Sequence, residues 1–448
     1  LAGVVFLPGD TGNVVAKAVN GADANGWDIG TVNGSPISGS GPDDLDWRSL
    51  ADNKMEVTLS TTIPTYFLKV LGFYHFDISR TATAEYVKPV PLGSPANCFG
   101  IGDPSGVGTT GLVSGTGASA ALTQCKGYTQ NFWGAINGRR TAKEHGDPYG
   151  VQCITAGSSS CNGTNTDFRP YYFYGIEVPA GKTWVDVYIW DLGFYDRTNF
   201  AEAGDEESLT NSNTGGTDTT FTLFAPDDSP TIPENNNIQV GSCNQTVNSG
   251  SSSGTYKNSW YRLCRFTPSP EGGIYVLKLQ NGGNIGGNNG YALLTNTNGQ
   301  TSTSFARVYA INDMSIFTNG ASGSATIYLA EVDPIHAGKV LELEFFDPGE
   351  GAGNATMTVQ PPPGVGAVNC VWTATNGQSG SSCSIPTTIS GNAQFNGEWI
   401  TMQIDIPTGY TCSSDCYWKV DAVLNVSHDR TTWTARVIGN PVRLVPNT

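Results

Sequence analysis

From Tyr171 onward aromatic and β-branched residues alternate with polar ones in segments of four to eight residues, punctuated by Asn-Gly, Gly-Gly and Pro-rich stretches. Residues 184–190, 219–224, 260–266, 273–279 and 305–310 form one such set, and 340–346, 355–359, 398–406, 418–426 and 431–437 form another. A period of two at this spacing predicts antiparallel β-sandwiches, with Greek-key and jelly-roll connectivity both open. Residues 1–95 follow a different pattern. Asp10-Thr11 caps a short helix carrying Val14, Val15, Ala18 and Val19 on one stripe, with Asn20-Gly21 as its stop signal. A polar loop is expected from Asn33 to Asp46, then a strand from Met55, a short helix from Pro64 to Gly72, and a second strand from His75 to Val87.

The two β-rich sets read as one unit written twice. Glu177-Val178-Pro179-Ala180-Gly181-Lys182 leads into one alternating strand, and Glu331-Val332-Asp333-Pro334 with Ala337-Gly338-Lys339 leads into the other. The tails also match in sequence, Ala306-Arg307-Val308 against Ala435-Arg436-Val437. Between the sets and the N-terminal region, residues 96 to about 165 form a Gly/Ser/Thr-rich connection too long for an ordinary loop. It is either a small disulfide-held domain or an outlying strand of the first sandwich. The expected organisation is an α/β region at 1–95, a connector at 96–167, and sandwiches at 168–320 and 321–448.

Composition narrows the setting. Only 14% of the 448 residues are charged, against roughly 25% in an average domain. The surface is therefore hydrated by hydroxyls and amides, as in extracellular proteins. Acidic residues outnumber basic ones 39 to 23, and a net charge of -16 argues against binding a phosphate backbone. Ten cysteines fall into close neighbours: Cys98 with Cys125, Cys153 with Cys161, Cys243 with Cys264, Cys370 with Cys383, and Cys412 with Cys416. No Cys-x-x-Cys pair occurs, so local disulfides formed in an oxidising compartment are favoured over a metal site. Asn-x-Ser/Thr sequons at Asn33, Asn162, Asn244, Asn354 and Asn425 lie in turn-like stretches open to glycosylation. No apolar run is long enough to span a bilayer. The chain begins at Leu1 without Met, and an upstream signal or anchor segment is expected.

The strand at Met55, then Ile63-Pro64-Thr65-Tyr66-Phe67-Leu68, then Ser79-Arg80-Thr81-Ala82-Thr83-Ala84-Glu85-Tyr86-Val87, closing on Pro89-Val90-Pro91-Leu92-Gly93-Ser94-Pro95, resembles the secreted TadE/TadG-like proteins of tight-adherence pilus systems. The resemblance covers about the first fifth of the chain. In that family a transmembrane helix and an alanine-rich helix precede a segment like Leu1–Pro8. The resemblance implies a pseudopilin-like protein displayed outside the cell, with copies of itself or other appendage subunits as partners.

Candidate chemistry is sparse. A Ser-His-carboxylate triad has no Gly-x-Ser-x-Gly elbow here, and the adjacent residues His428 and Asp429 project to opposite faces of a strand. Asp186 with Asp191, and Glu342 with Glu344, are carboxylate pairs of the kind glycoside hydrolysis requires, but they also suit a solvated strand face. Asp191, Asp196, Glu202 and Asp205 cluster in one acidic loop and are candidate ligands for a structural calcium ion, with acidic surface loops as the plainer reading. Trp133, Arg140 and Asp147 combine an aromatic ring, a guanidinium and a carboxylate, the groups with which a protein stacks and hydrogen-bonds a sugar. The plainer reading is that Trp133 fills a neighbouring core. The expected role is structural, in an extracellular appendage or surface layer, with an adhesin or glycan-binding protein as the alternative.

Overall fold

A computed structural model describes the chain except for residues 1–2, 5–6, 8–10, 39–40, 52–53, 87–89, 101–131, 139–140, 142, 150–168, 191–205, 208–217, 227–237, 248–259, 283–286, 302, 319–323, 350–352, 414, 425–428, 439–441 and 446–448. Two compact units emerge: one takes in Leu1–Pro89, Pro226–Ile238 and Gly439–Thr448, the other Val90–Ala225 and Gln239–Ile438.

In chain order the first unit contains α1 (Thr11–Asp23), β1 (Ile29–Val32), β2 (Ser35–Pro36), β3 (Asp43–Ala51), β4 (Lys54–Pro64) and β5 (His75–Tyr86). The second begins with β6 (Cys98–Phe99), β7 (Phe132–Asn137), β8 (Tyr171–Val178), β9 (Val185–Trp190), β10 (Glu206–Glu207), β11 (Thr219–Phe224) and β12 (Gln245–Val247). There follow β13 (Trp260–Phe266), β14 (Gly273–Asn281), β15 (Gly287–Thr297), β16 (Arg307–Ala310), β17 (Asp313–Thr318), β18 (Ser324–Glu331), β19 (Val340–Phe346) and β20 (Ala355–Gln360). Then come β21 (Cys370–Ala374), β22 (Ser379–Gly380), β23 (Ser384–Ile389), β24 (Asn392–Ala393), β25 (Trp399–Asp405), β26 (Tyr417–Val423) and β27 (Asp429–Ile438). The final strand, β28 (Val442–Val445), returns to the first unit.

The N-terminal unit is a six-stranded sheet ordered β2-β1-β3-β4-β5-β28, packed by α1. Helix spacing puts Val14 and Ala22 on the buried side of α1 with Val15, Ala18 and Val19 packed around them, as the apolar stripe predicts. The helix runs through Gly21 to Asp23, where Asn25 Nδ2 donates to the Gly21 carbonyl at 2.7 Å. The stretch expected as a polar loop instead holds β2 and the start of β3. Asp43 and Asp44 enter the strand because their carboxylates take bonds locally, Asp43 from the Asp28 amide at 2.8 Å and Asp44 from the Thr31 hydroxyl. A further departure from the expected 1–95 region is β28, which pairs antiparallel with β5, Val442 opposite Tyr86 and Val445 opposite Thr83.

The second unit contains the two antiparallel sandwiches, and their strand pairing repeats. In copy one a sheet runs β12-β11-β14-β8-β16; in copy two the matching sheet runs β24-β23-β20-β26-β18. Facing layers centre on β9, flanked by β13 and β15, and on β19, flanked by β25 and β27. β8, β9, β11, β12, β13, β14 and β15 therefore correspond to β18, β19, β20, β23, β25, β26 and β27. β11 and β20 show the same burial alternation, inward residues Thr219, Phe221 and Leu223 answering Ala355, Met357 and Val359. Gly181 and Gly338 hold left-handed backbone at φ 77° and 76°, so the Gly-Lys motif makes the same turn in both copies.

Two features of the sequence reading change. The tail match pairs strands that are not equivalent: Arg307 lies in β16, beside β8, whereas Arg436 lies in β27, beside β19. Local similarity of three residues does not determine which sheet a strand joins. Nor do residues 168–320 and 321–448 make separate compact bodies, because a single apolar core runs through both copies and the connector.

Candidate functional site: the seam joining the two copies

The joint is built by two strands that have no counterpart in the repeated set. β7, from the connector, pairs with β15 of copy one and with β17, and β17 pairs with β27 of copy two. The path β13-β9-β15-β7-β17-β27-β19-β25-β21-β22 is thus one continuous sheet. On the other layer Leu92 forms bridges to Ala310 of copy one and Ala330 of copy two. Its flanks add bonds from the Gly93 amide to the Leu329 carbonyl at 3.3 Å and from the Glu331 amide to the Pro91 carbonyl at 3.0 Å. The segment at residues 91–93 therefore stitches the second pair of sheets, and the Tyr417 hydroxyl donates to the Ser94 carbonyl beside it.

Every residue of β7 is buried, which explains its unbroken apolar sequence Phe-Trp-Gly-Ala-Ile before Asn137. Gly134 has no room for a side chain, because a Cβ there would lie 2.5 Å from the Tyr291 ring. That ring is fixed edge-on to Tyr174, and the two hydroxyls share a hydrogen bond. Trp133 lies opposite Phe317 in the register, and Phe317 lies opposite Arg430, whose guanidinium sits 5.3 Å from the Phe317 ring centroid.

Charged groups close the seam on both sides. Arg307 donates to Glu177 at 2.8 Å and also to Glu331, carboxylates at equivalent positions in the two copies. Elsewhere along the seam Asp147 is buried and accepts from the Tyr172 hydroxyl at 2.8 Å, the Tyr149 amide at 3.0 Å and the Asn137 amide at 3.4 Å. Burial pushes its pKa up, and these hydrogen bonds and the Arg169 charge only partly oppose that rise. Arg169 stacks 3.5 Å from the Tyr149 ring centroid and pairs with Asp313.

The predicted sites fare unevenly. Trp133 is only 1% exposed and packs 5.7 Å from the Phe317 ring, so its face is not open to a sugar. Asp147 is likewise enclosed and saturated by internal donors. Arg140 lies outside the described residues, as do the calcium candidates Asp191, Asp196, Glu202 and Asp205. Among the described residues no group of three or more His, Cys, Asp or Glu could hold a metal ion. Disulfides join Cys243 to Cys264, Cys370 to Cys383, and Cys412 to Cys416. Cys98 is disulfide-bonded, while Cys125, Cys153 and Cys161 lie outside the described residues. The first two disulfides correspond at one end only. Cys243 and Cys383 precede the equivalent strands β12 and β23, but Cys264 sits in β13 whereas Cys370 sits in β21, an added strand paired to β25. Of the sequons, Asn33, Asn244 and Asn354 are exposed, and Asn162 and Asn425 lie outside the described residues.

Of the carboxylate pairs, Asp191 lies outside the described residues, and Asp186, Glu342 and Glu344 each accept hydrogen bonds from side chains of their own sheets. Asp186 is fully buried and takes two bonds from Arg265, both at 2.7 Å; burial and its charge push the neighbouring Tyr188 hydroxyl up to about 12. Glu342 accepts from Arg436 at 2.7 Å and from Gln403 at 2.9 Å; burial would raise its pKa, but these bonds outweigh it and hold the carboxyl below its usual range. Glu344 accepts from the Thr434 hydroxyl at 3.2 Å.

Sequence reasoning missed the part that Arg307, Leu92 and β17 play in the seam. A lone arginine and a Pro-flanked leucine carry no periodic signal, and their partners lie in distant segments. No known family model matches the chain, and no curated protein does.

Proposed function

We propose that this chain is a structural subunit or accessory protein of a bacterial extracellular appendage or surface layer, assembling with copies of itself or with other appendage subunits. The observation that carries the reading is the seam: two copies of a sandwich are fused by shared sheets and one core into a single body. Such fusion suits a part that must hold its shape more than one that opens around a substrate. Disulfides and a low charge density suit an oxidising, extracellular setting, and the N-terminal resemblance to TadE/TadG-like proteins suggests which kind of system it serves. Among the described residues β12 and β24 pair on one side only, and edges of that kind suit a neighbour's strand.

The test is imaging of purified protein across salt, pH and concentration. Filaments or ordered lattices are the expected result, and monodisperse monomers under every condition would overturn it. The adhesin reading is weaker because Trp133 is enclosed, and saturable binding on a glycan array would revive it.

A further inference from the structure

Among the described residues the most exposed apolar feature is the tip of the β4-β5 hairpin. Of the sixteen large hydrophobic side chains that are exposed among the described residues, nine lie between Ile63 and Phe76; the other seven are scattered through the chain. Scattered apolar residues are ordinary, whereas a contiguous set marks a contact surface. At the apex Phe67 is 92% exposed and Val70 89%, and Tyr66, Phe73 and Tyr74 flank them.

The tip is ordered. Leu68–Leu71 forms a 3-10 turn closed by Gly72 in left-handed backbone, the Phe73 amide donates to the Leu68 carbonyl at 3.1 Å, and the Thr65 amide donates to the Tyr74 carbonyl at 3.0 Å. Its apolar groups are thus held outward in advance, which lowers the entropy lost on contact. Exposure does not alternate here as it does on a strand with one covered face: Thr62–Pro64 and His75–Asp77 are exposed at every position. A protein groove would cover one face of this ribbon, but a bilayer surrounds whatever enters it. The charge pattern agrees. From Val57 to Phe76 there is no acidic residue in a chain of net charge -16, and Lys69 is the one lysine or arginine. Aromatic residues flanking an apolar apex of Phe67 and Val70, with one lysine able to reach back toward headgroups, match the polarity gradient of a membrane interface.

We infer that residues 63–76 are a membrane-docking hairpin that inserts its apex into the headgroup and acyl boundary of a lipid bilayer. Electrically neutral headgroups suffice, because binding comes from apolar burial and the acidic remainder of the chain is repelled by anionic lipid. This inference does not rest on the appendage reading.

Co-sedimentation of the full chain with phosphatidylcholine vesicles tests it, alongside the double variant Phe67→Asp with Val70→Asp, which alters only exposed positions. The wild type should pellet with the vesicles, less so when phosphatidylglycerol is added at low salt, and the double variant should partition at least about tenfold more weakly with an unchanged circular dichroism spectrum. Failure of the wild type to pellet, or equal pelleting of the variant, overturns the inference. So does analytical ultracentrifugation in which the wild type self-associates through the tip, the variant does not, and neither binds vesicles.

Discussion

Glu177 and Glu331 hold the same place in the two copies and share one guanidinium, that of Arg307. The bridge crosses the seam, and the three side chains are only 21–35% exposed. Replacing Arg307 with Met leaves two carboxylates facing each other and should cost about 2 kcal/mol of stability. Arg307→Lys should recover part of that, since one ammonium cannot fork to both partners as a guanidinium does. Urea denaturation of the three proteins measures the order wild type, Lys, Met.

Asp147 gives the seam a pH dependence of definite sign. Its folded pKa lies above the ordinary value of 3.8 because burial disfavours the charge. Its contribution is therefore most favourable below the unfolded pKa and is lost as pH rises through the folded pKa. Relative to Asp147→Asn, which cannot titrate, the wild type should gain stability as the solution is acidified toward 3.8, whatever constant offset the changed hydrogen bonds introduce. Denaturation midpoints of both proteins across that range report the slope.

The disulfides separate the two units. No cysteine falls in residues 1–89 or 439–448, so reduction should lower the unfolding transition of the fused sandwiches and leave that of the N-terminal unit in place. Removing Cys243–Cys264 alone, whose ends have a sequence separation of 21, should cost about 3 kcal/mol. Calorimetry with and without reductant, and on the double Ser variant, checks both.

Deleting residues 439–448 should have the opposite selectivity. It strips β28 from β5 and uncovers the edge beside Ala84 and Tyr86, both buried in the core packed by α1. The N-terminal transition should fall by several degrees while the sandwich transition stays where it is, and the same calorimetry reads it.

Much of this architecture could be read from local signals. Alternation located β11 and β20, the Gly-Lys turns located the repeat, and the stripe of Val14 and Ala18 located α1. The seam could not be read that way. β7 pairs with β15 and β17 across more than a hundred residues, and pairing of that range leaves no periodic trace in either segment. Trp133 shows the same limit for a site: a tryptophan beside arginines and a carboxylate has sugar-binding chemistry, and only the register opposite Phe317 encloses it. At the β4-β5 tip, the helix expected from Pro64 to Gly72 is only a 3-10 turn at Leu68–Leu71, with Pro64 ending β4, and the spacing gave no sign that the apolar residues there face outward.

The return of β28 imposes an order in time. A chain made from its N-terminus delivers β1 to β5 first, yet β5 waits for its last neighbour until both sandwiches have been synthesised. Throughout that interval the β5 edge is an open template for strand pairing. Completion of the N-terminal sheet is therefore a signal that everything between has already been made.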